Sequence, residues 1–362
     1  MSAPVDRETR AKLAVMRGWL AEAGAAAVRL RGVDWFAWAT AGACAAQRLS
    51  AECGAAELLV TPRGAYILCD AGEVERLRGA GLGADWTWQV SPWMQCHLRE
   101  HFVANAADGG PVLSDRPRLR EHGLPCTAQL ARLVLAVPER ARYRQLGRLA
   151  AAAAGEALRA ARPGWTEYEL AGAAAHALWA RGLQPVLLLA AGAERARACP
   201  QPAPTVLPLG PRAMLGVCAR RHGLHVHLIR FVQFVGRAGE RDAAILALEA
   251  VALDACEVDQ PLCQVYRALD GAYAYAGQPD ALARHPQGGI TGYQAREVLA
   301  TRHSETRLRD GMALAFQPAL GGDRVEDTFL LEDGELDNLT CDPAWPSAMV
   351  AGRRRPLTLE RA

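Results

Sequence analysis

The chain has 362 residues, 51% hydrophobic and 22% charged, a balance that suits a globular protein of two domains and excludes a disordered or fibrous one. Its 41 basic and 39 acidic residues leave a formal net charge of +2, too little for the broad positive field that nucleic acid would require. Lys12 is the single lysine against forty arginines, which together with the alanine excess points to a GC-rich coding bias.

The chain starts with Arg7, Glu8, Arg10 and Lys12 in an amphipathic segment, not with a basic stretch followed by an apolar one, so a signal peptide is not expected. No stretch reaches the ~18 to 20 apolar residues needed to span a bilayer. Ten cysteines are scattered singly with no C-x-x-C spacing, a pattern expected of buried, reduced thiols in a cytoplasmic protein without a membrane contact.

In chain order, residues 6–24 carry Leu13, Met16, Leu20 and Ala23 on one helical face. A short strand over 26–30 follows, then the phrase Val33-Asp34-Trp35-Phe36-Ala37-Trp38-Ala39-Thr40. Residues 55–60 and 64–69 predict a hairpin around Thr61-Pro62-Arg63, and residues 73–80 and 91–104 predict helices. A boundary falls at Leu135 to Glu139, where Val137-Pro138 precedes a long helical tract and proline suits a helix entrance. Alanine-rich helices are expected over 139–161 and 165–181, separated by Pro163-Gly164. A buried strand over 183–190, a loop over 192–212, a hairpin carrying Gly216 and His227, and helices over 239–256 and 260–277 complete the sequence up to a set of motif strands.

Four phrases near the C-terminus carry the chemistry: Ala213 to Arg230 (AMLGVCARRHGLHVHLIR), His285 to Glu297 (HPQGGITGYQARE), Leu308 to Pro318 (LRDGMALAFQP) and Arg324 to Leu330 (RVEDTFL). In this order and spacing they resemble the pita-bread family of methionine aminopeptidase, aminopeptidase P, prolidase and creatinase. The resemblance extends over nearly the whole chain, since residues 33–40 are similar to the D-x-x-Y-x-T-G phrase of creatinase N-terminal domains. It implies an α/β (α+β) fold, with a creatinase-like N-terminal domain over 1–136 and a pita-bread domain over 137–362. It also implies a homodimer.

The same resemblance implies five ligands for two metal ions, and four of those positions are altered. Gly216 and His227 stand where two Asp lie eleven residues apart, Gly289 stands at the His of an H-x-x-G-H-G-x-G pattern, and Gln317 stands at the Glu of an I-E-P run. Glu326 alone keeps the family's residue. Two divalent cations a few ångström apart need several carboxylates for charge and for hard oxygen donors. Glycine offers no donor, Gln only a neutral carbonyl, and His227 only an imidazole suited to a softer ion. The expectation is therefore a site with no metal and no other cofactor.

The polar residues that remain define candidate roles. Glu326, desolvated in a cavity, would have a raised pKa suited to acid or base work; its structural alternative is a pairing with Arg324 or Arg230. His225 and His227 alternate along one strand and so share a face, which makes His227 the preferred proton carrier. It could equally fill the space left by the metal, bonded to Gln317 or Glu326. His285, Tyr293, Arg296 and Gln317 are the candidate substrate-binding residues, Arg296 offering bidentate bonds to a carboxylate or other planar anion. Arg296 could instead pair with Glu297 or Glu305. Cys199, with Arg195 and Arg197 as neighbours, and Cys218 are weighed as nucleophiles and judged small buried thiols.

The leading expectation is a metal-independent enzyme acting on a small-molecule substrate that carries an anionic group, a carbon–nitrogen hydrolase or a related acid–base tailoring enzyme. The alternatives are a non-catalytic peptidase-like binding protein and an Xaa-Pro peptidase-like enzyme with a remodelled mononuclear metal site. Nucleic acid is not among the expected partners.

Overall fold

The computed structural model describes residues 3–361; the outermost limits of the expected domains, at residues 1, 2 and 362, lie outside them. Two compact units are formed, one from residues up to Arg132 with His222–Leu224, the other from Leu133–Arg221 and the chain from His225 onward.

The first unit contains α1 (Ala3–Ala23), β1 (Ala27–Gly32), α2 (Val33–Ala39), β2 (Cys53–Val60), β3 (Ala65–Asp70), α3 (Val74–Arg78), β4 (Thr87–Ser91), α4 (Cys96–Ala106), β5 (Val112–Ser114), β6 (Glu121–Gly123) and α5 (Cys126–Leu133). Its six strands run in the order β4-β3-β2-β1-β5-β6. Strand β1 is antiparallel to β2 and parallel to β5, so both its edges are paired and all six of its residues are buried. Alternation then forces Arg29 and Arg31 indoors, where Glu57 meets Arg29 at 2.6 Å and Glu121 meets Arg31 at 2.6 Å; buried cations persist only when so paired. The expected hairpin forms as β2 and β3. The 33–40 phrase becomes α2, whose Trp35 and Trp38 pack with Trp19 at ring separations of 5.9 and 5.6 Å.

The second unit contains α6 (Val137–Ala160), α7 (Glu167–Trp179), β7 (Gln184–Gly192), α8 (Ala193–Ala198), β8 (Arg212–Arg221), β9 (Leu224–Gln233), α9 (Gly239–Asp254), α10 (Leu262–Tyr275), α11 (Ala281–Arg284), β10 (Gly288–Thr291), β11 (Val298–Leu299), β12 (Ala313–Phe316), β13 (Ala319–Leu320), β14 (Asp323–Arg324), β15 (Asp327–Glu332), β16 (Glu335–Asn338), β17 (Ser347–Val350), β18 (Arg353–Pro356) and β19 (Leu359–Glu360). Pro138 sits in the first turn of α6, where Glu139 accepts the Ala136 N–H at 2.6 Å. Thr166 and Glu169 cap α7 reciprocally. One sheet runs β19-β9-β8-β7 and another β11-β10-β12-β15-β16. Helices α9 and α10 pack their apolar faces on the second sheet, joining Leu246, Leu253, Leu269 and Tyr273 to Leu314, Phe316 and Phe329 in one core. The two sheets join where the Ile229 N–H donates to the Glu326 carbonyl at 2.9 Å.

Three sequence expectations need correction. The helix expected over 91–104 begins at Cys96, because residues 87–91 pair with β3 as an edge strand. The stretch expected to be wholly loop between 192 and 212 contains the short helix α8. All ten cysteines are free, yet Cys53, Cys96 and Cys126 are exposed rather than buried. No helix among the described residues is long and apolar enough to cross a membrane.

Candidate active site

Strand β9 reads LHVHLIRFVQ and is buried along its whole length, so each of its polar side chains must find a partner inside the protein. His225 points its Nδ1 at the Gly292 carbonyl, 3.3 Å away. His227 is braced through its backbone by Thr328, whose Oγ1 accepts the His227 N–H at 2.7 Å and donates to the His227 carbonyl at 3.0 Å. Arg230 reaches Asp327 at 2.6 Å. Period-two alternation thus delivers His225 and His227 to the same side of the strand, as expected from their spacing.

Glu326 precedes β15 and lies opposite Ile229, which sets its carboxylate 3.8 Å from His227 Nδ1. Arg296, in the loop between β10 and β11, donates from Nη2 to the same Glu326 oxygen and from Nη1 to the Ala295 carbonyl at 3.0 Å. The side chains of His227 and Glu326 are 8% and 6% exposed, whereas Arg296 is 24% exposed, so Arg296 is the member of the group that meets solvent. Cys218, on the neighbouring strand β8, brings its Sγ to 3.9 Å from His227 Nε2.

Burial sets the protonation states. Desolvation, then the Arg296 and His225 charges, hold the His227 imidazole well below its usual pKa, against a hydrogen bond to the Ala295 carbonyl. Desolvation raises Glu326, while Arg296 opposes that shift through its charge and its hydrogen bond. The result is a neutral imidazole beside a carboxyl group whose proton affinity is enhanced. The Cys218 thiol is pushed up to about 12 by burial, which removes it as a thiolate nucleophile at neutral pH.

The remaining candidates fall elsewhere in the same unit. His285 Nε2 lies 3.3 Å from the Gln317 carbonyl, and Gln287 Nε2 lies 3.3 Å from the same ring nitrogen, so His285 and Gln317 form a second pair. Tyr293 is buried at 1% exposure and its hydroxyl donates to Glu139 at 2.7 Å. Of the partners considered from sequence for the Glu326 carboxylate, Arg324 bonds instead to the Ala196, Cys199 and Pro200 carbonyls, and Arg230 bonds to Asp327 and to the Glu326 backbone carbonyl at 3.4 Å. Arg195, beside Cys199, pairs with Glu167. Sequence reasoning missed the bracing role of Thr328, although the E-D-T phrase contained it. It also missed the buried chain Arg230, Asp327, Arg355 and Glu249, in which Arg355 donates to Asp327 at 2.6 Å and also to Glu249. The signal for that chain was split between residues 106 positions apart.

The donor set does not fit a dinuclear metal centre. Among the described residues no group of three or more His, Cys, Asp or Glu side chains is gathered to hold a metal ion. A Cβ at Gly216 would meet aliphatic carbons of Leu189 and Ile229 at 3.3 and 3.4 Å, a setting for hydrocarbon rather than carboxylate. Gly289 adopts φ +151° and a Cβ there would stand 2.1 Å from the Val298 carbonyl oxygen. The guanidinium of Arg296, meanwhile, supplies the positive charge beside Glu326.

The chain matches the sequence profile of metallopeptidase family M24 over residues 141–333. Among solved structures it is similar to the prolidase from Pyrococcus horikoshii OT3, with a TM-score of 0.76 at 17% identity over 92% of this chain and 98% of that one. The Xaa-Pro dipeptidase from Bacillus anthracis gives a TM-score of 0.76 at 14% identity over 98% and 100%. The N-terminal domain of FACT complex subunit SPT16 from Cicer arietinum, chickpea, gives 0.69 at 11% identity over 92% and 96%. No curated protein matches the chain by sequence. The α/β architecture is therefore the creatinase-like pita-bread fold on a peptidase scaffold, and the chain belongs to metallopeptidase family M24.

Proposed function

We propose that this protein is a metal-independent hydrolase of a carbon–nitrogen bond in a small, amide-like substrate. The observation that carries the reading is the Arg296–Glu326 pair, whose carboxylate is buried, with a neutral imidazole 3.8 Å from that carboxylate. In this scheme water attacks the substrate carbon and yields its proton to the Glu326–His227 couple. The same couple returns that proton to the nitrogen as the carbon–nitrogen bond breaks, so no net proton is lost. Arg296, whose exposed edge retains donors beyond those bonded to Glu326 and Ala295, faces the negative charge that develops on the substrate oxygen. Its cationic edge also favours a substrate with an anionic group. The free cysteines and the family resemblance support a cytoplasmic homodimer.

A second reading is favoured by the names of the similar structures, several of which are Xaa-Pro peptidases: an Xaa-Pro peptidase with a single metal held at His227 and Glu326. The two are separated by assaying chelator-treated and zinc-, manganese- or cobalt-loaded protein against Xaa-Pro dipeptides and small amides. Turnover that survives chelation, and that falls at least ~100-fold in both Glu326→Gln and His227→Ala, the lower end of acid–base contributions, supports the first reading. Stoichiometric metal that restores Xaa-Pro cleavage to stripped protein establishes the second. Turnover unchanged in both variants would sink the assigned roles.

A further inference from the structure

A cleft of about 330 Å³ opens between α8, α11 and the turn joining β13 to β14, and its walls include Arg197, Arg284, His285 and Arg324. No lining residue carries a carboxylate. Three arginines line one small volume, in a chain whose overall charge is close to balanced.

Each arginine is placed differently. Arg324 is 5% exposed and fixed by carbonyls of Ala196, Cys199 and Pro200, while its Nε is buried without a hydrogen-bond partner. It is a rigid charge at the floor, compensated only by backbone dipoles. Arg197 and Arg284 are exposed, and neither makes an ion pair with a described residue. Gly322, at φ +98°, presses against Arg197: a Cβ there would lie 2.8 Å from the Arg197 Cβ. The turn thereby holds the root of Arg197 at the rim while leaving its head free. The His285 ring is engaged by the Gln317 carbonyl and Gln287 and forms a neutral wall.

Unpaired arginines at a rim above a buried one suit a planar or tetrahedral oxyanion, since guanidinium groups bond carboxylate and phosphate in bidentate fashion. The volume is at the lower end of the range for small-molecule sites, about 300 to 1,000 Å³. We propose that this cleft is an anion-binding site for a small ligand bearing a multiply charged oxyanion, with Arg197 and Arg284 as the binding arms and Arg324 as the fixed charge. It requires no catalysis at Glu326, so it stands whether or not the proposed hydrolysis is correct.

The test is calorimetric titration of the full chain with phenyl phosphate and, separately, with citrate, in a chloride buffer of matched ionic strength. Saturable binding of one equivalent is expected, weakened at least ~10-fold in Arg197→Ala/Arg284→Ala, or about 1.4 kcal/mol. The Arg302→Ala control, at an exposed arginine outside the cleft, should bind as the parent does. Binding of phenyl phosphate alone assigns a phosphorylated ligand, binding of citrate alone a polycarboxylate, and either upholds the site. Absence of saturable binding by both probes overturns it, as does equal binding by the double variant or an equal loss in the control. Both substituted arginines are exposed, and matched circular dichroism spectra would verify that the variants fold.

Discussion

His227 is a base kept ready by its surroundings. Burial and the Arg296 charge depress its pKa, so it should remain neutral at pH 6, where a free imidazole is mostly charged. Nitrogen-15 shifts of labelled histidine would read this directly, and Arg296→Met should move the titration upward by removing a cation. A His227 already charged at pH 6 in the parent would defeat the assignment. The linkage has a definite sign. The unfolded chain takes up a proton near pH 6.5 that the folded site refuses, so the contribution of His227 to stability is complete above that pH and is lost as pH falls toward its depressed folded value. Thr328→Val would keep the volume but remove both bonds to the His227 backbone. A cost of about 1–3 kcal/mol is expected from urea unfolding, as for buried groups left unsatisfied.

Strands β10, β11 and β12 owe their close packing to two glycines. A Cβ at Gly288 would stand 2.1 Å from the Ala315 carbonyl oxygen, and one at Gly289 the same distance from that of Val298. Both residues lie at positive φ. Gly289→Ala should therefore cost on the order of 3 kcal/mol or more, from strain and displaced backbone together, measured as a fall in urea midpoint. A second element-level effect comes from the C-terminal hairpin, whose Arg355 anchors Glu249 of α9. Burial raises Glu249 to about 7 even so. A raised carboxyl stabilises below its unfolded pKa and loses that contribution as pH rises through the folded one. The parent should thus lose stability between about pH 4.5 and 7 through this group, and Glu249→Gln should flatten that part of a urea-midpoint profile. The hairpin and its partner helix are far apart in sequence, which is why periodicity revealed α9 and nothing revealed what it is tied to.

At the scale of the whole molecule, each unit has an apolar cluster of its own, and the tryptophans are unevenly shared. Trp19, Trp35, Trp38, Trp86, Trp88 and Trp93 belong to the first unit; Trp165, Trp179 and Trp345 belong to the second. Fluorescence weights the first unit and far-ultraviolet circular dichroism reports both. The urea midpoints from the two probes are expected to differ, because two cores do not make one two-state transition; coincident curves would show a single cooperative unit. Much of this architecture was legible: the long helices through alanine and capping residues, the first hairpin through β-type residues on both arms of Thr61-Pro62-Arg63, and the fold through four ordered phrases. Edge strand β4 was not, since its pairing with β3 is not encoded in its own five residues. The site was partly legible. Alternation put His225 and His227 together, but the meeting of Arg296 with Glu326 depends on a loop, and residues thirty apart give no sign of contact.

The packing at Gly289 bears on protein engineering. Someone wishing to install a metal ion here would find that a histidine at residue 289 is opposed not by a movable side chain but by the carbonyl of the adjoining strand. Point substitution cannot supply the missing room; residues 297–300 would have to be rebuilt first. The local backbone thus makes the route toward a metal cradle a two-step one, with loop redesign preceding ligand placement.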